Sequence, residues 1–248
     1  MKRNGFSLIE LIVVIVIIAA VIGIMLPTLS LARQSAQSTV CLSNLRQLAI
    51  MADAYTSENK GYYPLAYYGG GNLFNWALNI QNGQYQPGLL WMGQTTNLKV
   101  LICPAVSQTP APGQICLGYN YNTSYIGHGA SEAPGGKMMP PAAVTAVSDP
   151  ALCALFGDGG YYGGVNYFMR APVRLNPVPP GADYISDAER AAGTQAFRHL
   201  GGTNVVYCDG HAATQFQRFT VTQPTAVPVG AGTGFLSADN SAYQTSPP

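Results

Sequence analysis

Met1-Lys2-Arg3-Asn4-Gly5-Phe6-Ser7-Leu8-Ile9-Glu10 opens the chain, and the apolar run that starts in it continues through residues 6–26, broken by one carboxylate, Glu10. About twenty helical residues, each rising about 1.5 Å, cross the hydrocarbon core of a bilayer. Lys2 and Arg3 ahead of the run hold its front end in the cytoplasm. A secretory signal has a shorter apolar region followed by a small-residue cleavage site, whereas Gly5 precedes this run and Ser30 and Ala32 lie well beyond it, so wholesale removal is not expected. A carboxylate near the end of such a helix costs on the order of a few kcal/mol if unpaired, so Glu10 calls for a headgroup-level position or a cationic partner.

Past the membrane run, Pro27 is expected to kink the helix rather than end it. Leu31, Ser38, Leu45 and Ala52 then share one stripe, with Leu42, Leu48 and Ala49 beside it, at the spacing of an amphipathic helix. Arg33, Gln34, Gln37, Asn44 and Arg46 fall on the wet face, and Glu58-Asn59-Lys60-Gly61 supplies a stop. The pattern predicts one helix over residues 7–57: a membrane or assembly half at 6–27, then an amphipathic half at 28–60 that docks on a soluble domain at 61–248. That domain is rich in Gly, Pro, Tyr and Asn. Its short apolar runs predict strands near 100–103, 116–121, 151–157, 203–208 and 211–219, and proline-punctuated loops at 107–114 and 171–181. The last thirty residues read as irregular surface chain.

Apolar residues make up 48% of the chain, charged residues only 9%, and the formal net charge is +1. A basic stripe with interleaved aromatics is missing, so no nucleic-acid partner is expected. Cys41, Cys103, Cys116, Cys153 and Cys208 all follow the membrane segment, in a compartment that permits disulfides. Five cysteines and two bridges allow roughly fifteen pairings. Cys41 with Cys103 is the pairing favoured here, since it would staple the long helix to the first strand region and remove loop entropy worth on the order of a few kcal/mol.

A second informative stretch is Arg198-His199-Leu200-Gly201-Gly202-Thr203-Asn204-Val205-Val206-Tyr207-Cys208-Asp209-Gly210-His211. Asp209-Gly210 predicts a two-residue type I′ hairpin turn with positive φ at both positions. In that register Val205, Tyr207, Ala212, Thr214 and Phe216 face the core, and Asn204, Val206, Cys208, His211 and Ala213 face away. His199, Asp209, His211 and Asp158 are suitable ligands for a divalent ion such as calcium. Equally, Asp209 could simply make the turn and His199 hydrogen-bond to the hairpin backbone, with no cofactor at all. No dense acidic loop is present, and Asp183, Asp187 and Glu189 are scattered.

Residues 2–11 closely resemble the class III leader of type IV pilins and type II secretion pseudopilins. The resemblance implies cleavage by a prepilin peptidase after Gly5, methylation of the new amino terminus at Phe6, and pairing of Glu10 with the terminal amine of a neighbouring subunit. His199, Asp209 and Gly210 match the H-x9-D-G signature of a large group of pseudopilin-like proteins. Cys41-Leu42-Ser43-Asn44-Leu45-Arg46-Gln47-Leu48, Gly61-Tyr62-Tyr63-Pro64, Cys103-Pro104, Gly118-Tyr119-Asn120-Tyr121 and an apolar strand ending at Asp158 agree with it in order. The implied fold is α+β and pilin-like, a long amino-terminal helix packed on an antiparallel sheet with long loops. The implied role is that of a structural subunit in a helical filament, a pilus or a secretion pseudopilus. It starts in the inner membrane, is built by the pilus or secretion assembly machinery, and ends as a periplasmic or extracellular filament. A minor subunit, or an anchored ligand-binding module using loops near 67–91 and 161–180, is the alternative. No Gly-x-Ser-x-Gly elbow, His-Glu-x-x-His helix or phosphate loop occurs, so no enzyme activity is expected.

Overall fold

The computed structural model describes residues 7–68, 74–81, 84–91, 98–106, 117–129, 138–161, 164–173, 186–220 and 229–245. Gly5, Phe6, Cys116, Asp183 and most of the 107–114 and 171–181 loops lie outside the described residues. Helix α1 runs Leu8–Glu58 without interruption through Pro27. It ends where expected, with Asn59 donating to the Tyr55 and Thr56 carbonyls and Lys60 and Gly61 both at positive φ.

The soluble domain is built on a five-stranded sheet. In chain order its parts are β1 Tyr67–Tyr68, β2 Phe74–Asn75, β3 Leu78–Gln81, β4 Gln84–Pro87, β5 Tyr119–Asn122, β6 Ala154–Asp158, β7 Phe168–Met169, helix α2 Asp187–Ala192, β8 Gln195–Ala196, β9 Thr203–Tyr207, β10 Ala212–Gln215 and β11 Thr233–Gly234. The main sheet has the order β10-β9-β6-β5-β7, antiparallel except for the parallel edge pair β5 and β7. Strands β1 to β4 form an antiparallel meander, and β8 pairs with β11. The α+β arrangement of a long helix on a mainly antiparallel sheet is the one the sequence predicts.

Strands β6 and β9 are buried at every position. Both faces of the sheet are covered, so alternation disappears. One face carries α1 through Cys41, Leu45, Leu48 and Ala52, which pack with Val206, Phe156 and Tyr121. The opposite face, with Val205, Tyr207, Ala154 and Met169, is covered by Tyr243. The carboxyl-terminal chain is therefore not a surface tail: Tyr243 is fully buried, and the Asn122 amide donates to its carbonyl at 2.8 Å. Irregular chain has no period to reveal such burial.

Three further expectations are corrected. Residues 98–101 form a 3-10 turn, not a strand, because a short apolar run fits either. The described residues of 67–91 form the β1–β4 meander and a 3-10 turn, Leu89–Trp91; Trp76 and Trp91 are buried, the Trp76 ring 5.1 Å from that of Phe156, and Tyr121 stacks on Phe156 at 4.9 Å. The β9–β10 connection is a three-residue loop, 208–210. Tyr207 N–H donates to the His211 carbonyl and Gly210 N–H to the Tyr207 carbonyl. Only Gly210, at φ +86°, has positive φ, and Asp209 does not, which is the geometry of a type I turn closed by a glycine bulge. The extra loop residue shifts the register by one and pairs Ala212 with Val206 and Thr214 with Asn204. Asn204, Val206, Ala212 and Thr214 thus face α1, and Phe216 is exposed.

Candidate functional site

Two places concentrate unusual chemistry, and the first lies at the start of α1. Every described residue from Ser7 to Ala36 is exposed, including the apolar run from Leu8 to Leu26. By length and apolarity this segment can cross a membrane. Glu10 turns back on its own helix and accepts a hydrogen bond from Ser7 N–H at 2.8 Å. Ser7 and Glu10 are the ends of a capping box, a local signal that the membrane argument for Glu10 passes over. The carboxylate thus satisfies the amino terminus of its own helix.

The second place is buried where α1 meets the sheet. Cys41 comes from α1, Cys103 from the turn after the 3-10 segment, Asp158 from the end of β6, and His199 from the chain entering β9. Their sulfur, nitrogen and oxygen atoms all lie within 4.8 Å of one another. The Cys41 and Cys103 Sγ atoms are 2.6 Å apart, Cys103 Sγ is 3.5 Å from His199 Nε2, and that nitrogen is 3.1 Å from Asp158 Oδ2. Gly118 permits the approach, since a Cβ there would collide with the Cβ of Cys103. The four residues are 0 to 2% exposed, so no donor atom is offered to a substrate in solution.

A polar shell surrounds the four. Asn204 N–H donates to Asp158 Oδ2 at 2.8 Å, and Arg198 Nη2 stands 3.8 Å from Oδ1, which accepts no hydrogen bond among the described residues. Tyr119 packs in the same buried cluster as Cys41 and receives the Asn44 amide at 3.1 Å. Asn44, read from the helix stripe as solvent-facing, is buried for this purpose. The Asn204 side chain ties β9 to Ser38 of α1. Burial pulls the His199 imidazole down, but the Asp158 carboxylate against it overrides this and raises it to about 9. Contact with Cys41 and burial push the Cys103 thiol up, with His199 acting the other way.

Asp209 and His211 are not part of this cluster. They form an exposed pair at the hairpin tip, Oδ1 to Nδ1 2.6 Å, with Asp209 also accepting the His211 amide. Slight burial opposes ionisation of Asp209, yet these bonds hold it below its usual range. Of the H-x9-D-G residues, His199 thus enters the buried site, while Asp209 and Gly210 shape a turn. The sequence reading set Cys41 with Cys103 and His199 with Asp158 as two separate ideas; the fold makes them one. Asn44, Tyr119 and Asn204 were not foreseen in this role because each stands in an ordinary strand or helix pattern, and Arg198 because it lies in irregular chain between β8 and β9.

Residues 1–26 match the family model described as the prokaryotic N-terminal methylation motif. The chain carries a prepilin-type leader. That leader indicates a type IV pilin-like or pseudopilin-like precursor, and the apolar half of α1 fits a membrane anchor. Such a leader implies processing by a prepilin peptidase and entry into pilus-like assembly machinery. No curated protein and no solved structure matches the chain.

Proposed function

We propose that this precursor is a structural subunit of a type IV pilus-like filament or a type II secretion pseudopilus. The observation that carries the proposal is the coincidence of the leader match with a helix that leaves every residue from Ser7 to Ala36 exposed. Cleavage after Gly5 would free the amine of Phe6. Residues 6–26 of many copies would then leave lipid and pack together, exchanging lipid contacts for helix contacts. Glu10 would exchange its Ser7 amide for the amine of a neighbouring subunit, a stronger, charge-assisted partner. The domain of residues 61–248, docked on the second half of α1, would form the filament coat.

The test is intact mass and amino-terminal sequencing of protein from sheared surface filaments and, separately, from membranes. A methylated Phe6 terminus abundant in filaments is expected of a pilus subunit. Processed chain confined to membranes would make it a pseudopilin or minor subunit. An intact Met1 in both fractions would reject the proposal.

A further inference from the structure

We infer that Cys41, Cys103, Asp158 and His199 are the four ligands of a structural zinc ion that clasps α1 to the sheet. Two sulfurs, one imidazole nitrogen and one carboxylate oxygen are donors that tetrahedral zinc accepts, whereas calcium requires six to eight oxygens. Zinc bonds of about 2.3 Å to sulfur and about 2.0 Å to nitrogen or oxygen place neighbouring ligands about 3.5 Å apart for sulfur and nitrogen and about 3.3 Å for nitrogen and oxygen. The observed separations are 3.5 Å for Cys103 and His199 and 3.1 Å for His199 and Asp158. Of these three edges the Cys41–Cys103 one must open, from 2.6 Å to about 3.8 Å, and all six lie within 4.8 Å.

The surroundings fit thiolates better than a disulfide. Tyr119 shares the buried cluster with Cys41, and with its oxygen already receiving the Asn44 amide its O–H remains as a donor for a neighbouring anionic sulfur, which a neutral disulfide would need far less. Two thiolates and a carboxylate exceed the charge of zinc by one, and Arg198, 3.8 Å from Asp158 Oδ1, supplies the balancing cation. Binding would release to solvent one proton from each thiol and the extra proton of the His199 imidazolium, leaving Nε2 neutral and able to ligate, with the Asp158 carboxylate as the fourth donor. Four protein ligands leave no open position, so the ion would be structural and not catalytic. It would join α1, the 98–106 segment, β6 and the entry to β9, the four pieces that meet where the helix leaves the domain.

The experiment uses the full chain extracted from membranes in detergent without chelator. Plasma mass spectrometry should find about one zinc per chain, and His199→Ala should lower it at least tenfold, while His211→Ala, at the exposed tip, should leave it unchanged. Because His199→Ala could fail to fold, the wild-type chain is also exchanged with cobalt(II), which should give a thiolate-to-cobalt charge-transfer band. Wild-type chain with no zinc and no such band overturns the inference, whether a non-reducing peptide map finds Cys41 bonded to Cys103 or both thiols open to alkylation. Full zinc retention in folded His199→Ala, or its loss in His211→Ala, overturns the ligand assignment.

Discussion

The two halves of α1 are one continuous helix with opposite surroundings. From Ser7 to Ala36 every side chain is exposed, while Cys41, Asn44, Leu45, Leu48, Ala49, Ala52 and Thr56 are buried in the second half. Apolar on all sides, the first half offers no preferred face to a single sheet and needs an apolar solvent or many copies of itself. The second half has a stripe, and the domain covers that stripe only. A helix can thus serve two environments with no break in its hydrogen bonds, because the division lies in its side chains.

The sharpest way to break this comparison is Gly5→Val, which should abolish cleavage entirely; an unchanged mature mass on mass spectrometry would contradict it. Glu10→Ala should leave insertion intact but reduce filament yield several-fold in sheared fractions. Normal yield would remove Glu10 from assembly. Within the docked half, Leu48→Ala should destabilise the domain by about 2–5 kcal/mol in urea unfolding, because it opens a cavity between helix and sheet. The control, Ile15→Ala in the bare half, should change it by less than about 0.5 kcal/mol. Equal effects would mean that the halves are not energetically distinct.

The pH dependence sharpens the docked side. His199 rises from an ordinary 6.5 to about 9 in the fold. A raised folded value contributes stability that is fully present below about pH 6.5 and is lost as pH climbs through about 9. The chain held in chelator should therefore weaken between those limits, and Asp158→Asn should flatten the curve. A flat wild-type curve would show that Asp158 does not hold the imidazolium. The smallest effect expected is that of His211→Ala, within about 0.5 kcal/mol, since its pair with Asp209 is exposed.

Much of the helix was legible because its signals are local. Residues 6–26 have a bilayer's length of apolar side chains, and 41–56 repeat at helical spacing. The hairpin was legible in existence but not in register. Asp209-Gly210 suits either a two- or a three-residue loop, and the choice reverses which of Val205 and Val206 meets the helix. Burial of Tyr243 and Trp76 could not be read, because neither belongs to a periodic segment.

By itself, then, the sequence determined the leader, the membrane-length helix, the α+β class and the docked stripe from Leu45 to Ala52, but not its limits, since Leu31 is exposed and Asn44 is buried; each of these depends on composition or spacing over neighbouring residues. Only the tertiary structure decided that Cys41, Cys103, Asp158 and His199 share one buried place and that Asp209 and His211 do not. Consecutive members of those four are separated by 41 to 62 positions along the chain. What brings them together is the packing of α1 against a sheet covered on both faces.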